Sequence, residues 1–247
     1  MEVPAAGVPA EGRAPADPAG GAAAAVPARG VPARGAPTWE PRRLAAVSAV
    51  LPEGVTPPGT RGRILEAALS LFAECGFAGG SIRQIAAVVG INSATLYAHY
   101  PSKEHVLAAL VRIGHEETHT RLADALATSP GGAPQRLAAL VRAHVLVHTD
   151  HPLLAVVTND ELHALSPGLA APALELRDAC RRMLLDVLER GAREGAFSVP
   201  DPVLAATAIG AMGLRVAYWF GPDQPYTREQ VADAFADFAL RVAGAAR

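Results

Sequence analysis

Cysteine is almost absent from this chain: Cys75 and Cys180 are the only two in 247 residues. A single pair in so long a chain is no disulfide framework, which excludes a small cross-linked secreted scaffold and points to reduced thiols. Aromatic residues are scarce at 5%, so the core must be built from aliphatic side chains. No unbroken apolar run reaches the about eighteen residues that a membrane span needs. The N-terminus has no basic stretch leading into an apolar segment, so no secretory signal is expected and a cytoplasmic protein is. An excess of one charge is missing too. The formal net charge is −2, so the surface as a whole does not attract nucleic acid, although a few well-placed cations would suffice locally.

What the chain has instead is alanine, leucine, glutamate and arginine in long helix-favouring runs, with half its residues apolar. Residues 1–57 differ in kind. They are rich in proline, alanine and glycine and contain the tandem copy VPARG-VPARG at 26–35. Such a segment cannot bury enough apolar surface to offset its ordering entropy and reads as a disordered tail. Its five arginines (13, 29, 34, 42, 43) are matched by five acids (2, 11, 17, 40, 53), which does not favour a DNA-tracking arm. From residue 58 onward the periodicity is helical throughout, with no lasting β-alternation. Helices are expected near 60–75, 81–89, 93–99, 103–127, 134–149, 152–165, 170–193, 202–220 and 228–243. An all-α fold follows.

The most specific stretch is 81–107, SIRQIAAVVGINSATLYAHYPSKEHVL. Ser81 suits an N-cap, and Ala86 is small where two helices must approach closely. Gly90 stands where a turn needs positive φ, and Asn92 and Ser93 supply N-cap chemistry for a second short helix. Leu96 would anchor that helix, leaving Thr95, Tyr97, Ala98 and His99 outward. This is a helix-turn-helix, a device that sets one helix in the major groove of DNA. Between 58 and 107 the cations Arg61, Arg63, Arg83 and Lys103 face the acids Glu66, Glu74 and Glu104, a mildly basic balance.

Gly90-Ile91-Asn92, Thr95-Leu96-Tyr97, His99-Tyr100 and Pro101-Ser102-Lys103-Glu104 together resemble the DNA-binding domain of TetR-type transcriptional repressors. The likeness begins near Arg61, with Ile64-Leu65, Ala67-Ala68, Leu71-Phe72 and Gly76-Phe77 as the preceding helix and its exit. It implies a three-helix DNA-binding domain at 58–107 and a six-helix effector-binding and dimerisation domain at 108–247. It also implies a homodimer paired through helices near 202–220 and 228–243. The small residues of the first (Ala205, Ala206, Ala208, Gly210, Ala211, Gly213) and the apolar residues of the second (Val231, Phe235, Phe238, Ala239, Val242) allow that pairing. They also allow plain closure of the monomer core.

A dimer of this kind would present two reading helices about 34 Å apart to double-stranded DNA. Tyr97, Tyr100 and Lys103 are expected at phosphates, the last in a helix's first turn where backbone amides favour an anion. Ser81 and Arg83 would meet the flanking strand. Ser93, Ala94 and Thr95, with Asn92 or His99, would read bases, threonine and alanine touching thymine methyls. Arg61 or Arg63 would add a minor-groove or phosphate contact. Tyr97 against the first helix, and His99 in helix packing, are the structural alternatives.

Two histidine patterns compete for a metal reading. His115-Glu116-Glu117-Thr118-His119 spells H-E-x-x-H, which on a helix sets two imidazoles on one face, as in a metal-dependent hydrolase. No third ligand motif follows, and a polar helix face is the simpler reading. His144, His148 and His151 form a stripe that can face Asp160, Glu161 and His163, either at a cavity mouth or as solvated groups. For a small-molecule effector the candidate residues are His148, Asp160, Glu161, Met183, Arg215 and Trp219. Arg215, one turn from Trp219, would hold an anionic group or else pair with Asp160 or Glu161.

A fainter likeness lies in His148-x-x-His151-Pro152, Asn159-x-Glu161-Leu162, Leu165-Ser166-Pro167, Gly195-x-Phe197 and Arg215-x-x-x-Trp219. These resemble the core of actinobacterial repressors of sterol and lipid breakdown, which implies a bulky, partly anionic effector such as an acyl-CoA. No metal, cofactor or catalysis is expected. A helical interaction protein without DNA binding is the remaining rival.

Overall fold

The computed structural model describes residues 49–245. The expectation of a disordered tail falls for the most part on residues 1–48, outside the described residues. The described residues are all-helical: α1 (Thr60–Gly79), α2 (Ile82–Val89), α3 (Ser93–His99), α4 (Lys103–Thr128), α5 (Ala133–Asp150), α6 (Pro152–Asp160), α7 (Pro167–Arg193), α8 (Pro202–Trp219) and α9 (Arg228–Val242), with a 3-10 turn at Leu162–Ala164. Local chemistry sets most of the starts. Ser81, Asn92, Ser102, Asp201 and Thr227 each accept a backbone N–H of the helix they open, and Thr227 and Gln230 close a full capping box. Proline occupies the first turn of α5, α6, α7 and α8, where no N–H is missed.

Three boundaries differ from the sequence expectation. The first helix continues to Gly79 but breaks at Gly76, whose φ of 71° is non-helical. Helix α6 stops at Asp160, with the turn at Leu162–Ala164 taking up the rest of the expected span. Residues 49–59 also form part of the fold. Leu51 is buried with the first helices, and the Val50 carbonyl accepts from His151 Nδ1 at 3.1 Å. Gly62 fits because a Cβ there would stand 2.4 Å from the Pro57 carbonyl oxygen.

Two apolar clusters make up the core. One gathers Ile64, Leu65 and Phe72 of α1, Ile85 of α2 and Leu96 of α3 against Leu107 and Leu110 of α4, and it continues into α6 through Leu154 and Val157. The other packs Leu137, Leu140 and Val145 of α5 against Leu188 of α7, Ile209 and Val216 of α8 and Ala239 of α9. Helix α4 contributes to both, Leu107 and Leu110 to the first and Leu122 to the second. Polar ties join the same elements: Arg121 of α4 and Arg228 of α9 both pair with Asp150 at the end of α5. A displacement of α4 therefore moves groups in both clusters, since packed interiors transmit strain.

Candidate nucleic-acid interface and effector cavity

The reading head is assembled from short-range chemistry. Gly90 ends α2 at φ 76°, ψ 32°, in the left-handed region. Its own N–H reaches the Ala87 carbonyl at 3.2 Å, and that of Ile91 reaches Ala86 at 3.0 Å. A Cβ at Gly90 would meet nothing within 4 Å, so the turn selects glycine for its φ and not for space. The Asn92 side-chain oxygen then accepts from the Thr95 N–H at 2.8 Å and from the Thr95 hydroxyl at 3.0 Å. Leu96 is fully buried beneath, which pins α3 by one side.

The outward side of α3 carries Ala94, Tyr97 and Ala98, all exposed. Tyr97 is 50% exposed, which leaves half of its ring free at this face. Arg83 on α2 is exposed, as are Arg61 and Arg63 on α1. Ser93, Thr95 and His99 are half-buried at the edge of the face. Asn92 and Thr95 spend their polar groups on each other, so Asn92 acts as a cap and Thr95 offers chiefly its methyl group. Ser81 likewise caps α2, and its hydroxyl donates to Gln84 Oε1 at 2.6 Å.

Two residues expected at phosphates are placed otherwise. Tyr100 is 3% exposed. Its hydroxyl turns toward the Arg61 carbonyl at 3.5 Å, and the Arg61 guanidinium lies 5.1 Å from its ring. Lys103 does sit in the first turn of α4, but its amine donates inward, to the carbonyls of Phe77 at 2.6 Å and Gly80 at 2.8 Å. It also lies 4.2 Å from the Phe77 ring. The break at Gly76 brings those carbonyls within reach. Lys103 fastens the exit of α1 to the start of α4, and Tyr100 belongs to the core.

A cavity of about 620 Å³ lies among α4, α5, α6, α7 and α8. Its inner wall is buried: Leu122 of α4, Leu140 and Val141 of α5, Leu154 of α6 and Ile209 of α8 supply the apolar part. His115, His148 and Thr158 are buried there as well. Its exposed lip is formed by Arg177 and Arg181 of α7 and by Thr207, Ala211 and Arg215 of α8. The Arg215 guanidinium stands 3.9 Å from the Tyr218 ring.

Of the effector candidates, His148 and Arg215 line this cavity and the other four do not. Asp160 is exposed and accepts from the Tyr218 hydroxyl at 2.5 Å, so it meets Arg215 only through that tyrosine. Glu161 ends α6, with Oε1 3.1 Å from where a Cβ of Gly76 would lie, on the α1 side. Met183 faces a separate hollow of about 200 Å³ with Leu126, Ala133 and Val187. Trp219 stacks on Phe235 at 6.4 Å and meets Phe220 edge-on, joining α8 to α9. Helical spacing alone could not show which face of α8 each residue takes.

The cavity uses residues that the sequence offered in other contexts. His115, from the H-E-x-x-H match, contributes its ring to the wall, while Glu116 pairs with Arg112 and Glu117 with Arg121. Among the described residues no group of three His, Cys, Asp or Glu side chains could hold a metal ion. His144 stacks edge-on with His148, ring centroids 4.5 Å apart. Burial drives both imidazoles far below their ordinary value, His144 to about 3 and His148 to about 4, and it lowers His115 also. All three are neutral at physiological pH. Cys180, likewise in the wall, is pushed up to about 11 by burial and is an inert thiol.

With this arrangement in view, comparison with known proteins is decisive. Residues 64–110 match the family described as bacterial regulatory proteins, tetR family, and residues 130–243 match the tetracyclin repressor-like C-terminal domain. The chain belongs to the tetR family of bacterial transcriptional regulators. It is 31% identical over 182 residues to the HTH-type transcriptional repressor KstR2 of Mycobacterium tuberculosis, spanning 73% of this chain and 90% of that protein. Among solved structures, a tetR-family regulatory protein from Rhodococcus RHA1 superposes with a TM-score of 0.73 at 31% identity, covering 77% of this chain and all of that one. The ketosteroid transcriptional regulator KstR2 of Mycobacterium tuberculosis superposes with a TM-score of 0.69 at 29% identity, covering 75% and 95%. The match at 64–110 spans most of α1, α2, α3 and the start of α4, and the match at 130–243 spans α5 to α9.

Proposed function

We propose that this protein is a homodimeric, ligand-responsive repressor that acts in the cytoplasm, binds a palindromic operator through α3, and is released by a small molecule held in the cavity. The observation that carries the reading is the double role of α4. Its first half, through Leu107 and Leu110, supports the reading head, and its second half, through His115, Thr118 and Leu122, is cavity wall. A ligand that binds better when α4 is displaced therefore changes the spacing of the two reading helices. It shifts the equilibrium by its differential affinity for the two states and by no more.

The lip supports an effector with an anionic part. Arg177 and Arg215 have no carboxylate partner within ion-pair distance among the described residues, and a guanidinium suits phosphate or carboxylate. The cavity volume suits a bulky acyl or ring portion. Together these favour an acyl-CoA. The regulator named for ketosteroids among its relatives is consistent with such a hydrocarbon-rich ligand. Within the domains proposed at 58–107 and 108–247, Ser81, Arg83, Ser93, Ala94, Thr95, Tyr97 and His99 are the DNA-contacting set. No catalytic step is proposed.

Exposed apolar surface supports the dimer. Leu204 of α8 is 67% exposed and Val203 51%, with Phe238 at 45% and Val242 at 40% on α9. Helix α8 is long and apolar enough to cross a membrane by length and composition, and only 33% of it is buried within the chain. In a DNA-binding family such a face is read as the seat of a second copy. The test is fluorescence anisotropy with the protein's own upstream DNA. Saturable, salt-dependent binding that medium-chain acyl-CoA reverses is expected; failure to bind any segment of that region defeats the proposal.

A further inference from the structure

Four polar side chains of the cavity wall share one habit. Each spends a donor on the backbone carbonyl one turn back in its own helix. His115 Nδ1–H donates to Val111 at 2.9 Å, the Thr118 hydroxyl to Gly114 at 2.8 Å, His148 Nδ1–H to His144 at 2.7 Å, and the Asn159 amide to Ala155 at 2.7 Å. The proton assignments follow because a carbonyl can only accept. What the histidines and Thr118 have left is an acceptor, Nε2 of the two rings and the hydroxyl oxygen, and Asn159 keeps its Oδ1 beside one free N–H. All four residues line the cavity. The carboxylate beside them, Glu117, accepts from Arg121 Nε and has acceptor capacity to spare.

Thr158 is the exception that fits the pattern. It is 5% exposed, and its hydroxyl has no hydrogen-bond partner, lying against Gly114 where a Cβ would be 2.5 Å away. Threonine in a helix occupies two χ1 wells, and rotation between them exchanges hydroxyl and methyl at the cavity side. An unpaired buried hydroxyl is costly in the empty protein and is relieved by a ligand group that can both donate and accept.

We infer that the inner end of the cavity selects a ligand bearing a hydroxyl, or another neutral hydrogen-bond donor such as an amide N–H, at the end remote from its anionic group. An ether, a ketone or a bare hydrocarbon end brings no donor to a wall richer in acceptors than in donors. A carboxylate would set acceptors against acceptors. An ammonium group would have to pass the arginines at the lip. The imidazoles remain acceptors throughout the physiological range, because burial holds them neutral. This inference rests on the proposed effector role of the cavity, and it adds the chemistry of the far end.

The test compares octyl alcohol with heptyl methyl ether, which match in heavy atoms and differ in one donor, by calorimetric titration of the full-length protein. The alcohol is expected to bind about tenfold tighter. His148→Phe, which keeps a ring and removes an acceptor, should reduce that ratio toward one without weakening the ether. Thr158→Val keeps the shape, should also reduce the ratio, and guards against His148→Phe failing to fold. Equal binding of the two probes, or binding of neither, overturns the inference. A second arm compares octanoyl-CoA with its terminally hydroxylated analogue for release of operator DNA. Failure of both thioesters to release DNA defeats the acyl-CoA reading and leaves the alcohol–ether result to judge the donor preference by itself.

Discussion

The amine of Lys103 donates to the Phe77 carbonyl 2.6 Å away, across 26 residues of sequence. A residue whose type and position suit a phosphate contact thus acts as an internal fastener between α1 and α4. Lys103→Met should lower stability by about 2 kcal/mol, the loss of charge-assisted bonds to two carbonyls. It should weaken operator binding through misplacement of α3 while leaving the salt dependence nearly unchanged. Thermal unfolding together with salt-titrated anisotropy measures both; an unchanged melting temperature with a reduced salt slope would return Lys103 to the phosphate role.

Arg83 and Tyr97 should behave in the opposite way. Both are exposed and neither contributes to the core. Arg83→Ala should leave the melting temperature unchanged and reduce the slope of log affinity against log salt by about 1, one phosphate contact fewer. Tyr97→Ala should also spare the fold, with affinity falling about tenfold or more. Circular dichroism melts beside the binding isotherms separate these effects from unfolding.

The difference between the two halves of the protein explains how much could be read from the sequence. The reading head is written in short-range chemistry. Asn92 caps Thr95, Gly90 supplies a positive φ, and Leu96 buries one side of α3, all within ten residues. Such features show in sequence because the residue type and the local backbone demand coincide. The inner wall of the cavity is a crossing of helices. His115 and His148 come together from α4 and α5, and Arg177 and Arg215 from α7 and α8, by interhelical packing that periodicity does not specify. Lys103 and Tyr100 turn inward for the same reason: what they face is set by α1 and its exit, far away in the chain. Trp219 turns to α9 and not to the cavity, because Phe235 gives it a stacking partner.

Gly213 on α8 meets the His144 ring so closely that a Cβ would lie 2.4 Å from Nδ1. Gly213→Ala must therefore push the imidazole aside or open the α5–α8 contact. A loss of about 1–3 kcal/mol is expected for such overpacking, with blunted release by effector, because His144 is cavity wall. Gly210 on the same helix has nothing within 4 Å of its Cβ position, so Gly210→Ala is the matched control and should be stable. Denaturant melts of the two variants decide the matter.

The buried histidines give the protein an acid-sensitive stability. His148 has its value lowered from 6.5 to about 4 in the fold, and His144 to about 3, each first by burial. Above pH 6.5 both forms of the chain hold these imidazoles neutral and there is no linkage. As the pH falls below that value the unfolded chain takes up protons that the folded chain refuses. Stability is then lost at about 1.4 kcal/mol per pH unit for each histidine until the folded imidazoles protonate too. Chemical denaturation across this window should show the decline, and His148→Phe should remove about half of it.

The dimer is the assumption on which operator recognition depends most. Leu204 and Phe238 are the most exposed large apolar side chains of α8 and α9 respectively, the two helices that the family likeness assigns to pairing. Leu204 is 67% exposed, and Phe238, 45% exposed, meets the chain through the Phe235 ring at 5.8 Å, so a charge at either position costs the isolated chain less than it costs the paired face, where it leaves an unpaired carboxylate. Leu204→Glu combined with Phe238→Glu should convert the protein to a monomer with an unchanged helical spectrum. With its two reading heads no longer linked, affinity for the operator should fall at least about a hundredfold, because the second half-site contact loses its high effective concentration. Sedimentation velocity and anisotropy on the same samples read the two outcomes. A double variant that stays dimeric places the interface elsewhere, and one that becomes monomeric yet binds at full strength shows that α3 needs no partner.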